Sequence, residues 1–402
     1  MKNLVIIGKV FPEPNSTAAG SRMLQLMEIF LSQNYQITFL STASISENSF
    51  DLNSKNIQFQ NIVLNDNSFD DLIKKLSPEI VIFDRFTTEE QFGWRVSEQA
   101  PNAFKILDTE DLHFLRNARE KAFKQNKNIE NSDLINDVFK RELASILRCD
   151  LSLIISEFEL NLLKNQFKID EKILFYLPLF AEIKKSETQF SERRNFISIG
   201  NFLHEPNWQT VLQLKKIWKN IKNQLPEAEI HIYGAYATEK VFQLHNQKEG
   251  FIIKGRAENV ESVFSQAKVL LAPIPFGAGI KGKLLESMRF GLPNVTSTIG
   301  AEAMHGNFDW NGFITDNETE FVEKAILLYQ DENIWQKSQE NGYLIAKNLF
   351  KKEIFEKDFT AKIDWISEHL PKHRNTNFLG KILQHQTLQS TKYLSKWIEE
   401  KN

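Results

Sequence analysis

Short apolar runs alternate with longer segments of helical spacing along most of the chain. In the first half the runs fall at 4–7, 36–40, 80–83, 104–107 and 151–155. They are brief and continuously apolar, the pattern of strands buried on both faces of a parallel sheet. Between them lie helical patterns such as 21–32, with apolar Met23, Leu24, Leu26, Met27, Phe30 and Leu31. A polar helical stretch at 111–148 precedes the last strand of this series. At 178–194 the pattern breaks into a charged, breaker-rich linker. A second series follows, with strands at 196–199, 229–233, 251–253, 269–272, 294–296 and 312–314. Helical segments at 318–329, 332–349 and 352–369 close it. The expected fold is α/β, with two doubly wound, Rossmann-like parallel-sheet domains facing a cleft. The expected division is 1–180, 190–350, a helix at 351–370 returning to the first domain, and a tail at 371–402. In such folds ligands bind between the carboxyl ends of the strands.

Composition narrows the classes. The 402 residues are 42% hydrophobic and 25% charged, as in ordinary globular proteins. A net charge of −3 makes no case for nucleic acid. No run of eighteen apolar residues occurs, and the N-terminus enters a strand with no signal-peptide cleavage pattern. A lone cysteine, Cys149, excludes an internal disulfide and fits a reducing cytoplasm. With scattered histidines and no Asp-x-Asp motif, no metal is expected. A cytoplasmic protein of an AT-rich bacterial genome fits the composition.

The densest chemistry lies in Pro273-Ile-Pro-Phe-Gly-Ala-Gly-Ile-Lys-Gly-Lys-Leu-Leu-Glu286. It sits between a buried strand and a helix that Gly291 and Pro293 stop. Such a turn offers backbone N–H groups and a positive helix end to an anion. Lys281 and Lys283 add two mobile charges. Gly277, Gly282 and Lys283 match most of a P-loop, but Leu284 stands where a Ser or Thr should hold Mg²⁺. Gly277, Gly279 and Gly282 match the dinucleotide fingerprint, with Glu302 placed to meet a ribose. Against that, Pro273 and Pro275 spoil the tight first turn. A plain glycine turn with solvated lysines is the third reading.

The order and spacing of several motifs resemble the GT-B glycosyltransferases, specifically glycosyltransferase family 4 and its group 1 relatives, over about residues 1–370. The carriers are Phe11-Pro-Glu-Pro-Asn-Ser-Thr-Ala-Ala-Gly-Ser-Arg22, Ser198-Ile-Gly-Asn-Phe-Leu-His-Glu-Pro-Asn207, Ile232-Tyr-Gly234, Lys254-Gly-Arg256, the 273–286 loop, Gly291-Leu-Pro293 and Ile299-Gly-Ala-Glu302. Many family members carry two glutamates eight positions apart here. Glu286 fits the second, but Ala278 occupies the first, as in a subgroup with Gly-Ala-Gly-Ile-Lys. The resemblance implies a donor site of Gly20, Gly200, Asn201, His204, Asn207, Arg256, Gly277, Gly279, Ile280, Lys281, Lys283 and Glu286. Backbone N–H groups near Gly279–Lys281 would replace the missing glutamate, and Glu286 would accept from ribose hydroxyls. Ser21, Arg22, Asp108 and Arg116 would meet the acceptor. Asp111 and His113 fall at the cleft after the 104–107 strand. His113 is the acid–base candidate, and His113, Asp111, Lys281 and Glu286 form the expected catalytic set.

The implied reaction moves a sugar from a nucleotide diphosphate sugar to a hydroxyl of a glycan, lipid-linked or protein-linked acceptor. It would be retaining and need no metal or other cofactor. Bacterial surface polysaccharide, lipopolysaccharide or glycoprotein glycan synthesis is the expected setting. A sugar-nucleotide epimerase and a non-catalytic nucleotide-sugar-binding protein are the alternatives. The tail carries Lys372, Arg374, Lys381, Lys392, Lys396 and Lys401 beside Leu379, Ile382, Leu383, Leu394, Trp397 and Ile398. It would either lie on the inner face of the cytoplasmic membrane or pack on the first domain or a partner.

Overall fold

The computed structural model describes residues 2–401, without the side chains of 386–389. Among these residues, thirteen strands form two sheets. The first contains β1 (Lys2–Gly8), β2 (Tyr35–Ser41), β3 (Gln58–Asn61), β4 (Ile80–Asp84), β5 (Phe104–Asp108), β6 (Leu151–Ile154) and β7 (Leu174–Tyr176), in the order β3-β2-β1-β4-β5-β6-β7. The second contains β8 (Arg194–Ile199), β9 (Ile230–Tyr233), β10 (Phe251–Gly255), β11 (Ala267–Ala272), β12 (Asn294–Thr296) and β13 (Gly312–Ile314), in the order β10-β9-β8-β11-β12-β13. Every pairing between these strands is parallel. The order reverses beside β1 in one sheet and β8 in the other, which opens a crevice at each switch point. This is the GT-B architecture.

The buried strands explain the apolar runs. Leu4, Ile6, Ile82 and Ile106 face one core of the first domain, while Val5, Ile7, Val81 and Leu107 face the other. The two edge strands β3 and β7 escaped sequence reading. Gln-Phe-Gln-Asn in β3 is mostly polar, and β7 is only three residues long. The polar stretch at 111–148 is two helices, His113–Lys124 and Asp137–Arg148, joined through a short 3₁₀ turn. The second packs through Ile146 on the first-domain core.

The helix Lys352–Glu368 crosses back to the first sheet. Phe359, Ile363 and Ile366 enter the same core as Leu4 and Phe30. The Phe359 ring meets Phe30 edge-on at 5.9 Å and lies 5.4 Å from Phe175. A segment late in the sequence therefore stabilises the early domain. Replacing Phe359 with Ala is expected to cost that domain about 3–5 kcal/mol. Calorimetry should show its transition falling while the transition of the second domain stays in place. Equal falls in both would show that the two domains unfold as one unit, and no fall would show that Phe359 does not stabilise the first core.

Candidate functional site

The facing carboxyl ends of the two sheets enclose a cleft of about 960 Å³, large enough for a nucleotide sugar. Its floor is the loop after β11. Ile274 and Phe276 are buried and pin the loop, and the Phe276 ring lies 5.2 Å from Phe123 of the first domain. Gly279 has φ of +64°, a left-handed backbone that a side chain would strain. A Cβ there would also fall 2.9 Å from the Asp111 Cβ. The helix Gly282–Arg289 then begins, with no side chain capping its N-terminus. It starts two residues earlier than the apolar spacing suggests, so Glu286 lies a full turn inside it rather than in its first turn.

The opposite wall is the start of the helix Ala18–Ser32, capped by Thr17. A Cβ placed on Gly282 would come 2.7 Å from the Ala18 Cβ. Two helix N-termini, one from each domain, therefore converge on one spot, and both present positive ends to the cleft. Ser21 and Gly20 line this wall, with the Ser21 hydroxyl donating to Pro14 O at 3.0 Å.

Around this point the donor candidates gather. Lys283 donates from Nζ to Asn207 Oδ1 at 2.7 Å, and desolvation pushes its amine down to about 7. Lys281 curls back to Gly279 O at 2.7 Å, and burial pushes it down to about 8. Glu286 faces the cleft with Arg289 3.3 Å away, and burial raises its carboxyl above the usual range. Gly200 directly follows β8 and lies over Asn207, whose amide donates to Asn201 O at 2.8 Å. Asn201 spends its own side-chain oxygen on Leu203 N–H at 2.8 Å. His204 precedes the helix Glu205–Gln224, and Arg256 is exposed at the rim beyond β10. Gly277 and Ile280 also line the cleft.

Two acceptor candidates are displaced. Arg22 and Asp108 are 3% and 0% exposed and form a buried ion pair, with Arg22 Nε 2.8 Å from Asp108 Oδ1 and Nη1 2.6 Å from Leu177 O. The physical reason is helix phase. Because the helix begins at Ala18 rather than at Ser21, Arg22 is a turn inside it and points at the sheet. The pair braces β5 beneath the cleft instead of lining it.

Asp111, His113 and Arg116 do line the cleft. Burial opposes the Asp111 charge, but Arg116 at 2.5 Å and His113 prevail and hold its carboxyl below the usual range. His113 opens its helix, with Nδ1 3.0 Å from Asp111 O. A proton on Nδ1 serving that carbonyl leaves Nε2 as the ring's acceptor. Neither aspartate caps this helix. Its first N–H groups go instead to two distant carboxylates, Leu112 to Glu159 at 2.9 Å, and His113 and Phe114 to Glu142 at 3.1 and 2.9 Å.

Glu159 was not legible in the sequence, yet it touches both domains. Its Oε1 also accepts Gly279 N–H at 2.9 Å. That N–H, expected to serve a donor sugar, is thus engaged within the protein. Desolvation, with Asp111 nearby, pushes Glu159 up to about 8. Arg85 and Glu110, also missed, follow the neighbouring strands β4 and β5 with φ of +72° and +65°. Glu110 Oε1 is buried with no partner, and desolvation with the Asp108 charge pushes that carboxyl up to about 8. Residues held in strained backbone cluster at functional sites. The strand-end rule would have flagged Arg85, which follows its apolar run almost directly.

A second tie closes the cleft. Arg119 makes bonds of 2.8 and 2.6 Å to both oxygens of Glu302 and one of 2.8 Å to Gly277 O. Glu302 is thereby spent on an interdomain pair and is not free for a ribose. On the far rim, Tyr236 donates to Glu13 at 2.8 Å.

Residues 193–331 match the family model of glycosyl transferases group 1. The whole fold is similar to the pneumococcal O-GlcNAc transferase GtfA, solved with UDP and GlcNAc. The identity is 14%, the match covers 91% of this chain and 99% of that one, and the TM-score is 0.68. It is also similar to HepE of Anabaena, solved with UDP and glucose, at 11% identity, 90% and 100% coverage and a TM-score of 0.66. A third likeness is to TarM of S. aureus in complex with fondaparinux, alpha-GlcNAc-glycerol and UDP. That match has 13% identity and a TM-score of 0.58, and covers 73% of this chain but 57% of that longer one. No curated protein matches the sequence significantly. The group 1 match falls within the second domain, and the whole chain has the GT-B fold.

The Arg119–Glu302 tie gives a test of closure. Truncating one partner of a largely buried charge pair costs about 2–5 kcal/mol. Arg119→Ala should therefore shift the protein toward an open form, read as a larger radius of gyration in small-angle scattering. An unchanged radius would show that closure does not depend on this pair.

Proposed function

We propose that this protein transfers a sugar from a nucleoside diphosphate sugar to an acceptor hydroxyl. The observation that carries the reading is the convergence of two helix N-termini with Lys281 and Lys283 around one point of the cleft. That arrangement suits a diphosphate, and the group 1 match over the same loop supports it. UDP in the solved complexes of GtfA and HepE favours uridine diphosphate as the leaving group. The Gly-Ala-Gly-Ile-Lys form of the donor loop supports assignment to the subgroup lacking the first glutamate. Glu286 would then hold the ribose, and Gly200 and Arg256 would flank the nucleotide. The likeness of the fold to WaaG, a glycosyltransferase involved in lipopolysaccharide biosynthesis, at 10% identity and a TM-score of 0.59, favours surface glycan synthesis as the setting.

In the reaction, the bond between the anomeric carbon and the phosphate oxygen breaks as the bond to the acceptor oxygen forms. The growing charge on the diphosphate is met by the two helix ends and the lysines, dipoles and charges already in place. Retention would follow from front-side attack, with the acceptor proton passing to the departing phosphate oxygen. His113 Nε2, Glu110 and Asp111 lie on the acceptor side and would orient the sugar and the attacking hydroxyl. The lysines and helix ends make a metal dispensable in this scheme.

A thermal-shift panel of UDP, GDP, CDP, ADP, NAD and ATP tests it. A ligand at a hundred times its dissociation constant stabilises by about 2.7 kcal/mol. UDP should do so with the wild type and lose most of the shift in Lys283→Ala and Glu286→Ala. Release of UDP from UDP-sugars should then require an acceptor. A response to NAD alone would overturn the reading, and donor isomerisation without acceptor would favour an epimerase.

The lysines also set a pH dependence. Burial pushes Lys283 down to about 7, and a bound dianion raises that value again. Above pH 7, binding must therefore take up a proton, and affinity should fall by up to tenfold per pH unit. Calorimetry between pH 7 and 8.5 in two buffers of different ionisation enthalpy should show that uptake, reduced in Lys283→Ala. A flat profile would remove Lys283 from the diphosphate site.

A further inference from the structure

The terminal helix Phe378–Glu399 is amphipathic in the reverse sense. The face turned to the first domain is small and polar. Gly380 sits against Leu147 O, Gln384 donates to Arg148 O at 2.8 Å, and Ser395 donates to Asn65 Oδ1 at 2.6 Å. Glu399 pairs inward with the buried Arg95, and Lys392 with Glu98. These bonds fix which side faces out. On that side Phe378, Leu379, Ile382, Tyr393, Leu394 and Trp397 are 64%, 50%, 49%, 66%, 58% and 54% exposed. At 3.6 residues per turn, all but Leu394 lie within about 100° of one another. The stripe, expected either to lie on a membrane or to pack on the first domain or a partner, points away from the first domain into solvent.

Its borders are basic. Lys381 and Lys396 are exposed along one side, and Lys401 Nζ lies 3.6 Å from the Trp397 ring centre. Glu399 is turned away, leaving Glu400 as the exposed acidic side chain at that end among the described residues. Two occupants suit an apolar stripe of this kind. A second copy of the chain, paired about a two-fold axis, would set the same lysines against one another. An anionic bilayer surface satisfies both features, since the apolar face enters the headgroup boundary and the lysines meet lipid phosphates. Trp and Tyr are the side chains that favour that boundary. Among the described residues no helix is long and apolar enough to cross a membrane. We infer that the outward face of this helix docks the protein peripherally on an anionic lipid surface. The inference stands on the helix alone and does not depend on the reaction proposed above. If both hold, a lipid-linked acceptor would be presented to the cleft at that surface.

Flotation of the full chain with vesicles tests it. Binding is expected to vesicles containing phosphatidylglycerol and to be at least tenfold weaker with pure phosphatidylcholine. The triple variant Phe378→Ser, Ile382→Ser, Trp397→Ser should lose binding at least tenfold while keeping the wild-type melting temperature, because all three side chains are exposed. Lys381→Gln with Lys396→Gln should weaken binding by about fivefold per lysine. The difference in emission between wild type and Trp397→Phe should shift to the blue on anionic vesicles. Absence of binding, or equal binding to both lipids, would overturn the inference. So would a concentration-dependent dimer that the triple variant abolishes, which would assign the face to a second copy.

Discussion

One carboxylate oxygen holds the two domains in register. Glu159 Oε1 accepts Leu112 N–H from the first domain and Gly279 N–H from the second. Each of those N–H groups would otherwise be an orphan in a dry interior, at a cost of about 1–3 kcal/mol. The bond fixes Gly279, Gly279 fixes the turn into the Gly282 helix, and that helix meets Ala18 across the cleft. The Arg119–Glu302 pair ties the same loop from the other side. The anion-binding geometry is therefore a product of closure, and neither domain contains it alone.

The same dependence explains what sequence could and could not show. Parallel strands buried on both faces leave continuous apolar runs, so β1, β4, β5 and β11 were visible. The edge strand β3 is mostly polar and left no such run, and β7, inside the apolar run 173–177, is only three residues long. The 273–286 loop was legible because a strand-to-helix turn with glycines and lysines carries its chemistry within fourteen residues. Glu159, Arg85 and Glu110 were not, because their significance arises from groups far away in sequence. Glu159 acquires its role only when Gly279, 120 positions later, is brought beside it. Arg22 and Asp108 failed for a narrower reason. Three residues of error in a helix start moved Arg22 from the cleft to the sheet.

Closure also sets the charge of the cleft. Four groups in or beside it have been moved toward neutrality from both directions, while Asp111 is held charged by Arg116 and His113. Lys281 and Lys283 sit near 8 and 7, while Glu110 and Glu159 are pushed up to about 8. Desolvation is the largest cause in all four. A site whose charges are this easily lost has little counter-charge of its own to satisfy them. A doubly charged phosphate supplies what the lysines lack, and in a low-dielectric cleft its attraction is worth more than in water. The cost of drying the lysines is met on the protein side during closure, so the ligand's interaction with them is not spent on reorganising solvent. On this argument the interdomain ties and the phosphate affinity are linked, and any ligand that favours the closed form by its charge must in turn strengthen the contacts of Glu159 and Arg119.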